Sequence, residues 1–284
     1  MKKLKLSFSV CCFSLIFFVG CDTNKSDQTE SEESIPALYL NDTSVTSYTQ
    51  NFSSRAVDDP LPTALSTIID MTAPGQDADL GKDNNPTNND IDGINGFKFT
   101  RLNSNGNTYS VPPIDYASDP WSCVIDENTG FIWEVKTLSG LQDFNNRYTW
   151  YNSDSKTNGG HAGEINTDPK TCQQTLNNCN TEEYIKAINN LNDGKGLCGL
   201  NNWRLPLREE LRSIIDYSVT EGAMVDTNYF PNAMSSDTWT SQTAYYGTTT
   251  GDQAWEVHFD TGHSEAHVKS SANVFIRLVH NPVN

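Results

Sequence analysis

The second half of the chain contains two stretches in which apolar residues recur at every third or fourth position, the spacing of a helix with one buried face. In the first stretch, Thr181 can cap the helix and Gly194 can end it. Its apolar stripe consists of Tyr184, Ile185, Ile188 and Leu191. The second stretch begins near Pro206, and its stripe consists of Leu207, Leu211, Ile214 and Ile215. The spacing therefore predicts two main helices.

Apolar and polar residues alternate towards the C-terminus, which is typical of strands. The alternating segment consists of Trp255, Val257 and Phe259 with Glu256, His258 and Asp260 between them. A turn at residues 260–263 predicts a hairpin that continues through residues 264–269. Two apolar runs, residues 131–135 and 274–279, predict buried strands, with Arg277 as the exposed exception. From residue 97 to 284 these elements predict one α+β domain with a twisted antiparallel sheet.

The predicted hairpin gathers four polar side chains on one face. With a turn at residues 260–263, His258 lies opposite Glu265, and Glu256 lies opposite His267. Two imidazoles and two carboxylates on neighbouring strands can hold zinc or a similar ion. The alternative is a solvated face with modest pairing between histidine and glutamate. A one-residue change of register would disperse the cluster.

Residues 1–20 have the pattern of a secretory signal peptide. Lys2, Lys3 and Lys5 precede an apolar run over residues 6–19 that is shorter than the ~20 residues of a membrane helix. Gly20 before Cys21, followed at once by polar residues, resembles the lipobox of bacterial lipoproteins, whose cysteine is acylated. We therefore predict lipidation at Cys21 and a lipid-anchored location in the bacterial cell envelope, with either membrane left open. The alternative is ordinary secretion with Cys21 unmodified.

The chain is strongly acidic. Its 19 Lys and Arg residues face 36 Asp and Glu residues, which gives a net charge of −17 and a pI near 4.5. Removal of residues 1–20 takes away three bases and no acid, so 16 bases face 36 acids and the net charge becomes −20. Such a surface repels phosphate backbones, which argues against nucleic acid as a partner. Residues 21–59, rich in Ser, Thr, Asp and Glu, predict a flexible acidic tether.

Residues 60–96 form an Asp- and Asn-rich lead-in that contains candidate calcium ligands. The candidates are Asp77, Asp79, Asp83, Asp90 and Asp92. Short acidic side chains around glycine can direct several oxygens at one hard cation. An EF-hand alignment of residues 88–93 places Phe99 where the bidentate Glu belongs, so the match fails at that ligand. The favoured interpretation is a solvated linker with Asx turns, and calcium binding is the alternative. No cofactor is predicted apart from this calcium alternative.

Four cysteines remain after the signal peptide and the predicted lipidation site are set aside. They are Cys123, Cys172, Cys179 and Cys198. In an oxidising compartment they predict two disulfides, for which three pairings exist. We favour Cys172–Cys179, which closes a short loop, and Cys123–Cys198, which ties the first strand region to the turn before the second helix. A zinc site is the alternative, although no Cys-x-x-Cys pair occurs.

Several segments occur in an order that resembles the C-terminal domain of the Legionella collagen-like protein family. They include residues 121–124, 130–136, 148–152, 158–160, 202–206, 229–232 and 277–279. The resemblance runs from about Gln76 to His280. It implies a C-type-lectin-like fold, and residues 203–206 with the following helix are similar to a segment of formylglycine-generating enzymes. The member that gives the family its name is an adhesin for sulfated polysaccharides, but this chain lacks collagen-like repeats and its charge argues against sulfated ligands.

The resemblance implies binding rather than catalysis. A lectin-like fold does not by itself define an activity, however. The chain contains no Gly-x-Ser-x-Gly motif, and its paired cysteines would be oxidised. We therefore predict a non-enzymatic, lipid-anchored module that binds a glycan or an envelope protein. The alternatives are a structural subunit of an envelope complex and, with less support, an enzyme related to the formylglycine-generating fold.

Aromatic residues with polar tips are the first binding candidates. The candidates are Tyr148, Trp150, Tyr151, Tyr245 and Tyr246. Arg204 is a further candidate, although its forked guanidinium suits a structural role as well. In that structural interpretation, Trp203 packs in the core, Pro206 starts the helix, and Arg204 binds carbonyls or a carboxylate such as Asp216.

Overall fold

Two antiparallel sheets form the framework of the domain in the computed structural model, which describes residues 92–93, 95–113, 115–245 and 250–283. The first sheet has the order β1-β2-β3-β7, and the second has the order β4-β5-β6. The strands of the first sheet are β1 (Phe99–Leu102), β2 (Cys123–Asp126), β3 (Ile132–Glu134) and β7 (Val279–His280). The strands of the second are β4 (Asp237–Ala244), β5 (Gln253–His258) and β6 (Ser264–Val268). The mixed α and β composition is confirmed, but two sheets replace the single predicted one. The predicted signal peptide, Cys21, the tether and most of the lead-in lie outside the described residues.

A tight turn joins β2 to β3, and two residues of the sequence, Asp126 and Gly130, favour it. The Asp126 carboxylate accepts hydrogen bonds from the Asn128 backbone N–H at 2.9 Å and the Thr129 hydroxyl at 2.7 Å. Gly130 follows at φ +76°, a conformation that residues with a Cβ adopt at a cost. The turn reverses the chain and pairs Val124 with Trp133 in the core of the first sheet.

Three α-helices are present among the described residues, and all are short. They are α1 (Thr181–Asn189), α2 (Leu191–Gly194) and α3 (Arg208–Arg212). Two 3-10 turns, Pro169–Cys172 and Leu197–Gly199, complete the helical structure of this part of the chain. The Asn180 side chain caps α1 by accepting a hydrogen bond from the Glu183 N–H at 3.0 Å, so the prediction of Thr181 as the cap was wrong by one residue.

The predicted second helix is only partly helical. It begins at Arg208 rather than near Pro206, and it ends at Arg212. Ile214 and Ile215 lie beyond its end and are nevertheless buried, as is Leu211. Leu207 departs from the predicted buried stripe because 39% of its surface is exposed. It precedes the helix in an extended conformation, so it does not share the helical face.

The buried apolar residues form two clusters. The first contains Phe97, Phe99, Trp121, Trp133 and Phe230, and it lies against the first sheet. The second contains Tyr148, Trp150, Trp203 and Trp239 together with all four described cysteines. The cysteines form the disulfides Cys123–Cys198 and Cys172–Cys179, which confirms the favoured pairing. The longer bridge joins β2 to the 3-10 turn ahead of α3.

A buried ionic cluster lies between β3 and the C-terminal segment. Glu134 is fully buried and accepts hydrogen bonds from Lys136 Nζ at 2.8 Å, from the Leu278 N–H at 2.9 Å and from the Tyr184 hydroxyl. Arg277 is also buried, at 3% exposure, and donates to the Glu134 carbonyl at 2.6 Å. The prediction that Arg277 is exposed was therefore wrong, because the Glu134 carbonyl accepts from its guanidinium and the Phe230 ring lies 5.1 Å from the guanidinium carbon. Burial lowers the pKa of Arg277 to about 10, so it is charged at neutral pH.

The predicted hairpin is present, but its pairing is shifted. Glu256 lies opposite Glu265, and the His258 N–H donates to the His263 carbonyl at 2.9 Å, so the turn comprises residues 259–262. Phe259 leaves the strand because its side chain is buried in the first cluster, and its N–H donates to the Ser236 carbonyl. The shift moves each partner by two positions, so the polar residues keep a common face.

Candidate binding cleft

An open cleft of about 370 Å³ lies where α1, the start of the α3 segment and β4 meet. The residues that line it are Trp150, Tyr151, Asn152, Thr181, Glu182, Ile185, Arg204, Leu205, Leu207 and Ser241. Its wall is mainly apolar, and a few polar groups stand around it. A volume of this size and a lining of this kind are typical of small-molecule sites.

The aromatic wall is fixed by buried contacts. The Trp150 indole N–H donates to the Thr240 carbonyl at 2.9 Å, and Lys269 Nζ lies 4.1 Å from the centre of its ring. Lys269 is fully buried and donates to the carbonyls of Asn158 and His161 at 2.8 and 2.7 Å. Burial lowers its pKa to about 8, with Asp252 acting in the opposite direction. The lysine thus holds the loop that follows Tyr151 against the indole.

Tyr151 is held through its backbone, which leaves its ring at the cleft. Its N–H and carbonyl both hydrogen-bond the Thr181 hydroxyl, at 2.9 and 2.8 Å. Gly163 packs closely against the backbone of the preceding residue, since a Cβ there would lie 2.1 Å from the Trp150 carbonyl oxygen. The Tyr151 phenol makes no hydrogen bond to any described residue, so it is available to a ligand.

Glu182 supplies a carboxylate at one side of the cleft. It accepts hydrogen bonds from the Ser153 N–H at 2.6 Å and from Lys186 Nζ at 2.7 Å. Burial acts to raise its pKa, but these hydrogen bonds outweigh burial, so the pKa lies below its usual value. The group is therefore ionised at neutral pH.

Arg204 also lines the cleft, and its guanidinium is fully engaged. Its two terminal nitrogens donate to the Glu210 carboxylate at 2.7 and 2.8 Å, and Nε donates to Asn281 Oδ1 at 3.1 Å. Glu210 is 2% exposed and also accepts the Leu207 N–H at 2.7 Å. The partner is thus Glu210 and not Asp216, which instead accepts hydrogen bonds from Ser218 and Asn95. The pair fixes the segment before α3, and its charges cancel.

The structure brings together three of the six predicted binding residues. Trp150, Tyr151 and Arg204 line the cleft. Tyr148 is fully buried and offers no surface to a ligand, because its ring packs against Tyr184 at 4.9 Å between centroids. Tyr245 is 55% exposed but does not line the cleft. Tyr246 lies outside the described residues.

The sequence did not identify four of the residues that line the cleft, three of which are aliphatic. Ile185 and Leu207 were assigned to buried helical stripes, and Leu205 and Ser241 were not singled out. The only available signal was the position of Leu207 beside Pro206, which prevents a regular helix from continuing in the N-terminal direction.

Metal-ligating groups are absent from the lining described above, apart from Glu182. Of the predicted calcium ligands, only Asp92 falls in the described part, where Oδ2 lies 3.8 Å from Lys98 Nζ. The other four lie outside it. Imidazoles and carboxylates do converge on the second sheet, on the face of β5 and β6 that carries Glu256 and His258.

The fold and the cleft define a class: an α+β domain crosslinked by two disulfides, with one aromatic cleft at the junction of a helix and a strand. Within the described residues, no helix is both long and apolar enough to span a membrane. The model of the Lcl C-terminal domain family matches residues 122–280, which is more than half of the chain. The chain belongs to this family of Legionella collagen-like protein C-terminal domains. The match begins later than the expected residue 76. No curated protein and no solved structure matches the chain significantly.

Proposed function

We propose that the protein is a lipid-anchored, non-enzymatic module of the bacterial cell envelope that binds a neutral glycan in the cleft. The observation that carries this proposal is the half-buried Tyr151 ring, whose phenol bonds no described residue, on the mainly apolar wall of a cleft of about 370 Å³. A sugar ring has an apolar face and polar edges, and a ring such as that of Tyr151 offers a matching surface. The C-type-lectin-like relationship is part of the same proposal.

The charges favour a neutral ligand over a sulfated one. The one cation at the wall, Arg204, already pairs with Glu210, and the carboxylate of Glu182 is ionised. Glu182 in turn pairs with Lys186. An anionic sugar would therefore find no unpaired cation among these groups, on a chain whose net charge is −17.

The anchoring part of the proposal rests on the sequence. Residues 1–20 resemble a lipoprotein signal, and Cys21 is the residue that would carry the lipid. Two buried disulfides agree with an oxidising compartment. An acidic tether would hold the domain away from the lipid surface.

The test is glycan-array binding by the full chain, followed by titration of each hit. Tyr151→Ala removes the ring and Leu207→Asp places a charge in the cleft; both positions are at least partly exposed, so folding is preserved. We expect each change to weaken binding at least tenfold, since aromatic contacts of this kind dominate binding energies. Tyr245→Ala is the matched control, because that exposed ring lies outside the cleft. Unaltered affinity in both cleft variants would refute the proposal.

A structural role in an envelope complex is the second candidate. The observation in its favour is β6, which pairs only with β5 among the described strands and exposes 43% of Val268. An open strand edge can accept a strand from a partner. Copurification of one stoichiometric protein in detergent, lost on Val268→Pro and retained on Tyr151→Ala, would favour this function over glycan binding.

A further inference from the structure

The face of β5 and β6 described above carries like residues directly opposite one another. Glu256 pairs with Glu265, and His258 pairs with His263. Like charges at directly opposed positions destabilise a sheet. In the glutamate pair, the Glu256 side chain is also buried, at 1% exposure. A cation between the strands would remove the conflict.

The distances across this face match the edges of a tetrahedral site. His258 Nε2 lies 3.6 Å from Glu265 Oε2, and His263 Nε2 lies 3.7 Å from the same oxygen. Ligand atoms about 2.0–2.2 Å from one zinc ion are separated by roughly 3.3–3.6 Å in a tetrahedron. The atoms of His258, His263 and Glu265 all lie within 4.8 Å of one another.

The outer ring nitrogens of both histidines face oxygen atoms. His258 Nδ1 lies 2.7 Å from Asp237 Oδ1. The Thr261 hydroxyl donates to Asp260 at 3.2 Å and also contacts His263 Nδ1. In both rings Nε2 is then the nitrogen that approaches Glu265. Histidine ligands of metals are commonly oriented by such carboxylate and hydroxyl partners.

Two buried atoms on this face lack the partners that buried polar atoms need. His258 Nε2, at the proposed site, and Glu256 Oε2, beside it, are both buried and make no hydrogen bond within the described structure. The other Glu256 oxygen, Oε1, lies 3.1 Å from His267 Nδ1.

We propose that this face binds one zinc ion, or a similar borderline divalent cation, through His258 Nε2, His263 Nε2 and Glu265. Imidazole nitrogens combined with carboxylate oxygens select such ions over calcium and magnesium, which prefer oxygen alone. Asp237 is a positioning residue, because it fixes the His258 ring through Nδ1. The site shares no residue with the cleft and does not depend on the function proposed for it.

The experiment is calorimetric titration of zinc into the full chain, with disulfides intact, other thiols alkylated, and prior metal removed by a chelator. We expect one zinc per chain at micromolar concentrations, with magnesium and calcium unable to compete. His263→Ala and Glu265→Gln should each weaken binding at least tenfold. Both side chains are more than half exposed, so the metal-free melting temperature should equal that of the unaltered chain. His161→Ala, at an exposed histidine outside the hairpin, is the control and should bind zinc normally.

Three results would overturn the proposal. Absence of saturable binding at submillimolar zinc would mean that protons on the imidazoles already balance the carboxylates. Equal binding by the two ligand variants and the unaltered chain would place the zinc elsewhere, for example in the acidic lead-in. Competition by calcium as effective as that of zinc would contradict the ligand chemistry. A second readout is the histidine ring Nε2 resonance in nuclear magnetic resonance, which should shift for His258 and not for His280.

Discussion

The two disulfides close loops of very different length, and this difference predicts how much each contributes to stability. Two double variants are compared. One replaces Cys123 and Cys198 with alanine, and the other replaces Cys172 and Cys179. The first bridge spans a sequence separation of 75 residues and the second spans 7. All four cysteines are at most 1% exposed, so the two variants remove the same atoms from equally buried sites.

The expected magnitude follows from the entropy that a crosslink removes from the unfolded chain. The loop-closure relation gives about 4.5 kcal/mol for the Cys123–Cys198 bridge and about 2.4 kcal/mol for the Cys172–Cys179 bridge. The cost of the deleted sulfur atoms is similar in both variants and largely cancels in the comparison. The difference in the free energy of unfolding should therefore be about 2 kcal/mol, with the long-loop variant less stable.

Urea unfolding of the oxidised chains, followed by tryptophan fluorescence, measures this difference. Trp203 and Trp239 lie in the same buried cluster as both bridges, so their emission reports the loss of the relevant core. Equal destabilisation of the two variants, or a larger loss for the short loop, would refute the loop-entropy argument. Such a result would mean that the bridges act through native packing.

The remaining predictions concern buried charge, pH and anchoring. Arg277→Met should destabilise the domain by about 2 kcal/mol, because it leaves the buried Glu134 carbonyl without its donor, while Lys136 still pairs with the carboxylate. A loss comparable to that of Arg208→Met, at the partly exposed Arg208–Glu209 pair, would contradict this reasoning. Because burial lowers the Lys269 pKa to about 8, the unfolded chain binds more protons between that pH and 10.5, so the stability contribution of this group rises with pH across that window. Lys269→Met should flatten the measured pH dependence there, and an unchanged slope would disprove the effect. Cys21→Ser should release the protein from the membrane fraction, and unchanged fractionation would exclude the lipid anchor.

The sequence was sufficient for those parts of the fold that local patterns determine. The period of α1 and the alternation in β5 follow from side chains that reach one core face. The disulfide pairing was predicted on chain distance, and it holds because each pair falls inside one cluster. The division into two sheets was not predicted, because strand pairing between distant segments, such as β3 with β7, leaves no local signal.

The cleft was harder to predict because it depends on residues that break the local pattern. Leu207 fits a helical stripe, yet the extended backbone before α3 turns it towards the cleft. Arg277 is a charged residue within an apolar run, which predicts that it is exposed. Its burial depends on Glu134, which is adjacent to it only in the folded chain. The structural interpretation of Arg204 is confirmed, because it binds the Leu205 carbonyl and a carboxylate. That carboxylate is Glu210, which reaches back across the first turn of α3, and not Asp216, which lies beyond its end.

The two proposed sites can be judged separately because different residues of β4 contribute to them. Asp237 stands opposite His258 at the start of the strand, while Ser241 reaches the cleft beyond Trp239, after which the pairing with β5 becomes irregular up to Thr243. That irregularity interrupts the ladder, so a change at the metal cluster is not transmitted along a continuous set of hydrogen bonds. His263→Ala should accordingly leave glycan affinity unchanged, and Tyr151→Ala should leave zinc affinity unchanged. Loss of both activities in either variant would show instead that the second sheet responds as one unit, and that the cleft is shaped by the cation.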